Sequence, residues 1–178
     1  YAQNAQRLRR RADPKDCGLL MAGERFIQKA VLKLSSYINS NLPTQLRAVE
    51  TAQSLTTDSL TDPIAVVQYR APFDNRSPLV EVFDESWEFI DHINKLVSVD
   101  CTIALSYVGD ASLENGEIFM RRYITALLDT LMADTTLGST VVAAIPTDGS
   151  SAITRGDNAT TRHVYTQGVD VHVFQGGS

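Results

Sequence analysis

VSVDCTIALSYVGDASLENGEIFMRRYITALLDTL, residues 97–131, is the stretch on which the fold turns, because its apolar period changes once within it. Val97, Val99, Cys101, Ile103, Leu105 and Tyr107 alternate with Ser98, Asp100, Thr102, Ala104 and Ser106, the pattern of a strand with one face on a core and one in water. Gly109 and Asp110 then break the alternation. Asp110 or Ser112 offers a capping oxygen, and Glu114 and Glu117 stand where a helix dipole favours negative charge. Beyond them Phe119, Tyr123, Ile124, Leu127, Leu128 and Leu131 recur at helical spacing, opposite Arg121, Arg122, Thr125 and Asp129. At ~3.3 Å per strand residue and ~1.5 Å per helix residue the two segments span about 35 and 28 Å, so the helix can lie back along the strand. This unit is a core, not an active site.

Toward the N-terminus, Ile27, Val31, Leu34 and Ile38 predict an amphipathic helix over Leu20 to Asn41, ended by Asn39, Ser40, Asn41 and Pro43. Pro43 suits the first turn of a second, short helix carrying Leu46 and Val49. The Ser- and Thr-rich run Thr51 to Thr61 reads as an exposed connection. Ile64 to Tyr69 predicts a short buried strand, Leu79 to Phe83 another, and Trp87 to Asp91 a third. A turn at His92 to Lys95 pairs this third segment with the long strand as an antiparallel hairpin whose tip overhangs the domain. On the other side, Asp134 to Gly138 stops the helix, Val141 to Ile145 is a strand, and Pro146 to Asn158 reads as a long loop. Arg162 to Phe174 closes the chain as a strand with Val169, Val171 and Val173 on one face and Gly168, Asp170 and His172 on the other.

The expected fold is therefore α+β: a two-layer sandwich with a mostly antiparallel sheet of about five strands and two main helices packed on it. Residues 1–18 form a basic N-terminal arm and 19–178 a single domain, in keeping with 43% hydrophobic and 21% charged residues over 178 positions.

A formal net charge of -5 argues against a dedicated duplex-DNA binder, whose affinity would come from a basic surface. No run approaches the ~20 apolar residues of a membrane span, and the apolar run after Arg7, Arg9, Arg10 and Arg11 is too short for a signal-peptide core, so an intracellular protein is expected. Two cysteines, Cys17 and Cys101, do not make a disulfide framework, and Cys101 reads as a small buried hydrophobe.

The search for chemistry starts from His92, His163 and His172. In one strand His163 and His172 fall on opposite faces, which denies them a shared ligand position. Asp170 and His172 share a face, half of a catalytic triad, but no nucleophile elbow accompanies them. Gly109-Asp110-Ala111 and Gly156-Asp157-Asn158 lack the strand, turn and helix context of a phosphate cradle. Neither a catalytic residue, a metal nor a cofactor is assigned. The candidate site residues are those expected at the surface: the loop residues Arg70, Phe73, Asp74 and Arg76, the hairpin tip His92 and Lys95, and Arg9 and Arg10 of the arm. Phe73 leads them, an apolar side chain set among turn formers.

Phe26 to Leu46 (FIQKAVLKLSSYINSNLPTQL), Val97 to Tyr107 with the following Gly109-Asp110 and helix, and Met132 to Gly138 (MADTTLG) together resemble the tail terminator and tail completion proteins of long-tailed bacteriophages. The resemblance covers about two thirds of the chain and rests on the order of elements, not on chemistry. It implies a virion protein, assembled in the host cytoplasm, that forms a hexameric ring. Such a ring caps the tail tube, and the sheath where the tail contracts, meets the head connector, and lets DNA pass as cargo. A neighbouring head-completion or stopper protein is the nearest alternative. A small α/β enzyme using Asp170 and His172, and a nucleic-acid-binding module using Arg7 to Arg11, represent other classes.

Overall fold

A computed structural model describes residues 14–56, 59–70, 77–109, 113–155 and 161–175, with backbone alone for 14–25, 109, 113, 114, 154 and 155. The elements run α1 (Pro14–Ala52), β1 (Ala65–Val67), β2 (Leu79–Asp91), β3 (Leu96–Gly109), α2 (Leu113–Ala133), β4 (Ala143–Arg155) and β5 (Thr161–Phe174). They form a five-stranded sheet of order β1-β2-β3-β5-β4, in which only β1 and β2 are parallel. Both helices pack on one face, so the expected α+β sandwich is the fold.

The period change in 97–131 marks the centre. β3 pairs antiparallel with β2 on one side and with β5 on the other, the second ladder running unbroken from Leu96↔Phe174 to Gly109↔Thr161. Val97, Val99, Cys101, Ile103 and Leu105 are buried against Tyr123, Leu127 and Leu131 of α2 and Leu34, Ile38 and Leu42 of α1. Burial pushes the Cys101 thiol up to about 12, with the nearby Asp84, Asp100 and Asp170 carboxylates adding to the effect, as suits a packing residue. The other face of β3 is less wet than alternation implies: Ser98, Ala104 and Ser106 are also buried. Each is a small side chain in the middle strand with longer cross-strand neighbours, such as Leu79 and Val164 beside Ser106.

Four expectations change. The break at Asn39 to Pro43 does not occur; α1 runs through Pro43 to Ala52. Leu42, Leu46 and Val49 continue the buried stripe of Leu34 and Ile38, and that packing outweighs the ~3 kcal/mol a mid-helix proline costs. The segments Leu79 to Phe83 and Trp87 to Asp91 are one strand, with irregularities at Asp84/Ser86 and Phe89/Asp91 that absorb the acidic run between them. The Ile64 to Tyr69 strand is only three residues long and half-buried, because it is the sheet edge, with Ile64 and Tyr69 exposed. The loop expected from Pro146 onward is mostly strand: β4 reaches Arg155, with an irregularity between Pro146 and Gly149. Its polar composition fits an edge strand, whose inward positions Gly149 and Ser151 pair with Gln167 and Tyr165 rather than with aliphatic side chains.

The turns are built as expected. Asp91 accepts from the Ile93 and Asn94 amides at 2.8 and 3.1 Å and from Asn94 Nδ2 at 2.6 Å, which closes the β2–β3 hairpin. Asp134 does the same after α2, accepting from Thr136 N and Gly138 N at 2.8 and 2.7 Å, with Gly138 at φ 72°. The capping candidates Asp110 and Ser112 lie outside the described residues.

Candidate functional site: the open sheet face and the hairpin tip

Alternation along β2, β3 and β5 turns one set of side chains away from the helices, and the register decides which of them meet. Asp100 and Asp170 are direct cross-strand partners, and Ser98 stands between Glu88 and His172. Ser86 donates its hydroxyl to Asp100. Partial burial holds the Asp170 carboxyl above the usual carboxylate range, and the neighbouring charge of Asp100 and its hydrogen bond raise it further; Glu88 adds to this and His172 opposes it. Farther along, Arg70 lies with its guanidinium carbon 4.4 Å from the Phe83 ring centre and pairs with Glu85 at 2.5 Å.

The raised carboxyl bears on stability. A carboxyl whose folded value lies above its unfolded ~3.9 binds its proton more tightly when folded, so its contribution is full below the unfolded value and is lost as pH rises through the folded one. Asp170→Asn is therefore expected to raise stability at neutral pH and to leave it unchanged in acid, read by urea unfolding at the two pH values. A gain of equal size at both would remove charge repulsion as the cause.

The hairpin tip carries the second feature. Ile93 is 91% exposed, Trp87 45% and Ile90 47%. Trp87 meets Phe89 edge-on with centroids 5.7 Å apart, and Phe89 packs on His92 at 5.1 Å. Lys95 holds a left-handed φ of 55°, and its carbonyl accepts from Gln175 N at 2.7 Å, tying the tip to the end of β5 near the exposed Phe174.

Of the expected interface residues, Arg70 sits on the open face in an internal ion pair, while His92 and Lys95 lie at the tip. The structure does not bring Arg70 to the tip. Phe73, Asp74, Arg76, Arg9 and Arg10 lie outside the described residues. The exposed apolar trio of the tip and the Asp100/Asp170 pair were not singled out from sequence. The first had a signal in the overhang; the second depends on register, which alternation does not supply.

On the helix side a cleft of about 190 Å³ lies between α2 and β4, with Glu117, Arg121, Ser151 and His163 among its lining. Another of about 400 Å³ is lined by Lys29, Thr140, Val142 and Phe174. Asp170 and His172, on the opposite face, line neither. Among the described residues no group of three or more His, Cys, Asp or Glu side chains is placed to hold a metal ion, and no helix is long and apolar enough to cross a membrane. The sequence matches no protein-family model, and none of the curated proteins matches it either.

Proposed function

We propose that this chain is a virion structural protein of a long-tailed bacteriophage, a tail terminator that assembles as a ring, caps the tail tube and meets the head connector. The observation that carries the reading is the long β2–β3 hairpin, which keeps Trp87, Ile90 and Ile93 in water at its tip, a costly arrangement unless a neighbour covers them. The open sheet face and the short, half-buried edge strand β1 add surface for contacts between subunits. In this reading the partners are further copies of the chain, expected as a hexamer, the tube protein, the sheath protein where there is one, and the connector. DNA passes through without being gripped, and no catalytic residue or cofactor takes part.

Electron microscopy of the purified chain mixed with tail tubes tests this. Six-fold rings at one tube end are expected, and Ile93→Asp is expected to abolish them while leaving the thermal midpoint unchanged. Rings on the connector of DNA-filled heads instead would move the assignment to a stopper. Absence of both would overturn it.

A further inference from the structure

The sheet face turned away from the helices is covered by no described helix or strand, and its hairpin half is built from like charges. Glu88, Asp100 and Asp170 carry no ion pair among the described residues, whereas Glu85 is held by Arg70. Of the strand residues in that half, His172 is the only further group able to bear positive charge. Carboxylates directly opposite on neighbouring strands repel, and their partial burial leaves water less able to relieve it. A cationic occupant would remove both penalties.

The chain contains one segment of matching chemistry. Residues 1–13 hold Arg7, Arg9, Arg10 and Arg11 against the single acid Asp13. The segment leads into α1, which belongs to the layer behind the sheet, and the first described α1 side chain to join the core is Phe26. The described backbone of α1 begins at Pro14, and thirteen extended residues reach at most about 45 Å. To reach its own acidic face the segment would have to pass round a sheet edge from the layer of the helices. The exposed apolar hairpin tip lies at this same end of the sheet and already calls for a neighbouring copy in the function proposed above, so the occupant is taken as a second copy's segment.

We propose that the acidic half of the open sheet face docks the arginine-rich segment 1–13 of a second copy of this chain. Planar guanidinium forks suit a row of carboxylates spaced by strand pairing, and several exposed pairs acting together give a contact that weakens with salt. The inference rests on the self-assembly part of the function proposed above but not on tails, since the purified chain alone tests it.

The test is sedimentation velocity of the full chain at low and high salt, comparing wild type, the face variant Asp100→Lys/Asp170→Lys, the arm variant Arg9→Glu/Arg10→Glu, and an equimolar mixture of the two. Wild type is expected to associate at low salt and each variant to do so at least about tenfold more weakly. The mixture is expected to recover association, because the arm of one variant meets the intact face of the other. If the face variant fails to fold, Asp100→Asn/Asp170→Asn keeps the shape and is expected to weaken association in the same direction. A wild-type chain that stays monomeric, an arm variant that associates normally, or a mixture that recovers nothing would each overturn the proposal. An arm variant that self-associates normally and still caps tubes would overturn the docking contact while leaving the tail assignment intact.

Discussion

Glu50→Ala is expected to lower stability by about 3 kcal/mol, the lower end of the cost of removing one partner from a buried ion pair. Glu50 is 2% exposed near the end of α1, one residue before the run Thr51 to Thr61 that the sequence reads as an exposed connection. One of its carboxylate oxygens accepts from Leu60 N at 2.6 Å and from the Ser59 hydroxyl at 3.3 Å; the other pairs with Arg47 at 3.2 Å. Arg47 in turn donates to the Leu60 carbonyl and to Asp62, the latter at 3.0 Å, while the Tyr123 hydroxyl of α2 donates to Thr61 O at 2.6 Å. These bonds hold the fully buried Leu60 in the core. Alanine leaves a buried Leu60 amide without that acceptor and removes a carboxylate from beside Arg47, each of which is destabilising. The lower end of the range applies because the Arg47 side chain is 30% exposed and retains Asp62. Denaturant unfolding measures the loss. Proteolysis should speed up between Ala52 and Asp62, where the clasp opens. Glu50→Gln, which keeps an acceptor for Leu60 but not the charge, should fall between. A Glu50→Ala protein within about half a kcal/mol of wild type would mean the linker is held by Leu60 burial alone.

The elements that sequence reasoning placed well are those in which one physical requirement dominates. β3, α2 and β5 each set their large apolar side chains on one face, so a period of two or of about three and a half runs through them, even though the small residues on the other face of β3 are buried too. Where two requirements compete, local signals misled. Asn39 to Pro43 carries every sign of a helix end, yet the stripe from Leu34 through Leu42 and Leu46 is continuous, and tertiary packing outweighs the proline. β4 hides behind Pro146, Gly149, Ser150 and Ser151 because the requirement there is hydrogen bonding to β5 at an edge, not burial. The Glu50 clasp was invisible for a similar reason: a lone acid near a helix end reads as solvated until the returning Leu60 amide is seen above it. At the candidate interface, alternation correctly put Asp170 and His172 on one face, but only the zero-offset ladder between β3 and β5 sets Asp100 against Asp170. The hairpin tip was legible through its length, and its apolar exposure follows from that length.

Gly116→Ala should reverse its effect according to what occupies position 163. In an exposed helix this exchange stabilises by about 1 kcal/mol, since alanine forms helix better than glycine. At Gly116 a Cβ would lie 2.2 Å from Nε2 of His163 and 2.9 Å from its Cδ2. That ring is 2% exposed on the inward face of β5, and its Nε2 has no hydrogen-bond partner among the described residues, so the first turns of α2 rest directly on the imidazole. Swinging the ring aside would push it from its seat under Gly116 toward the cleft between α2 and β4, and lifting α2 would loosen Met120 and Tyr123 above the sheet. Overpacking costs roughly 1–3 kcal/mol, and an approach of 2.2 Å places this case in the upper part of that range, about 2–3 kcal/mol, so that after the helical gain the net effect is a loss of about 1–2 kcal/mol. In a His163→Ala background the obstruction is gone and the same exchange should stabilise by about 1 kcal/mol. A coupling of roughly 2–3 kcal/mol from the four-variant cycle is therefore expected, large for two residues that exchange neither charge nor hydrogen bond. Thermal and urea unfolding of the four proteins measure it. Additive effects would mean that α2 shifts freely over β5, and the close seating that fixes α2 on the sheet could not then hold.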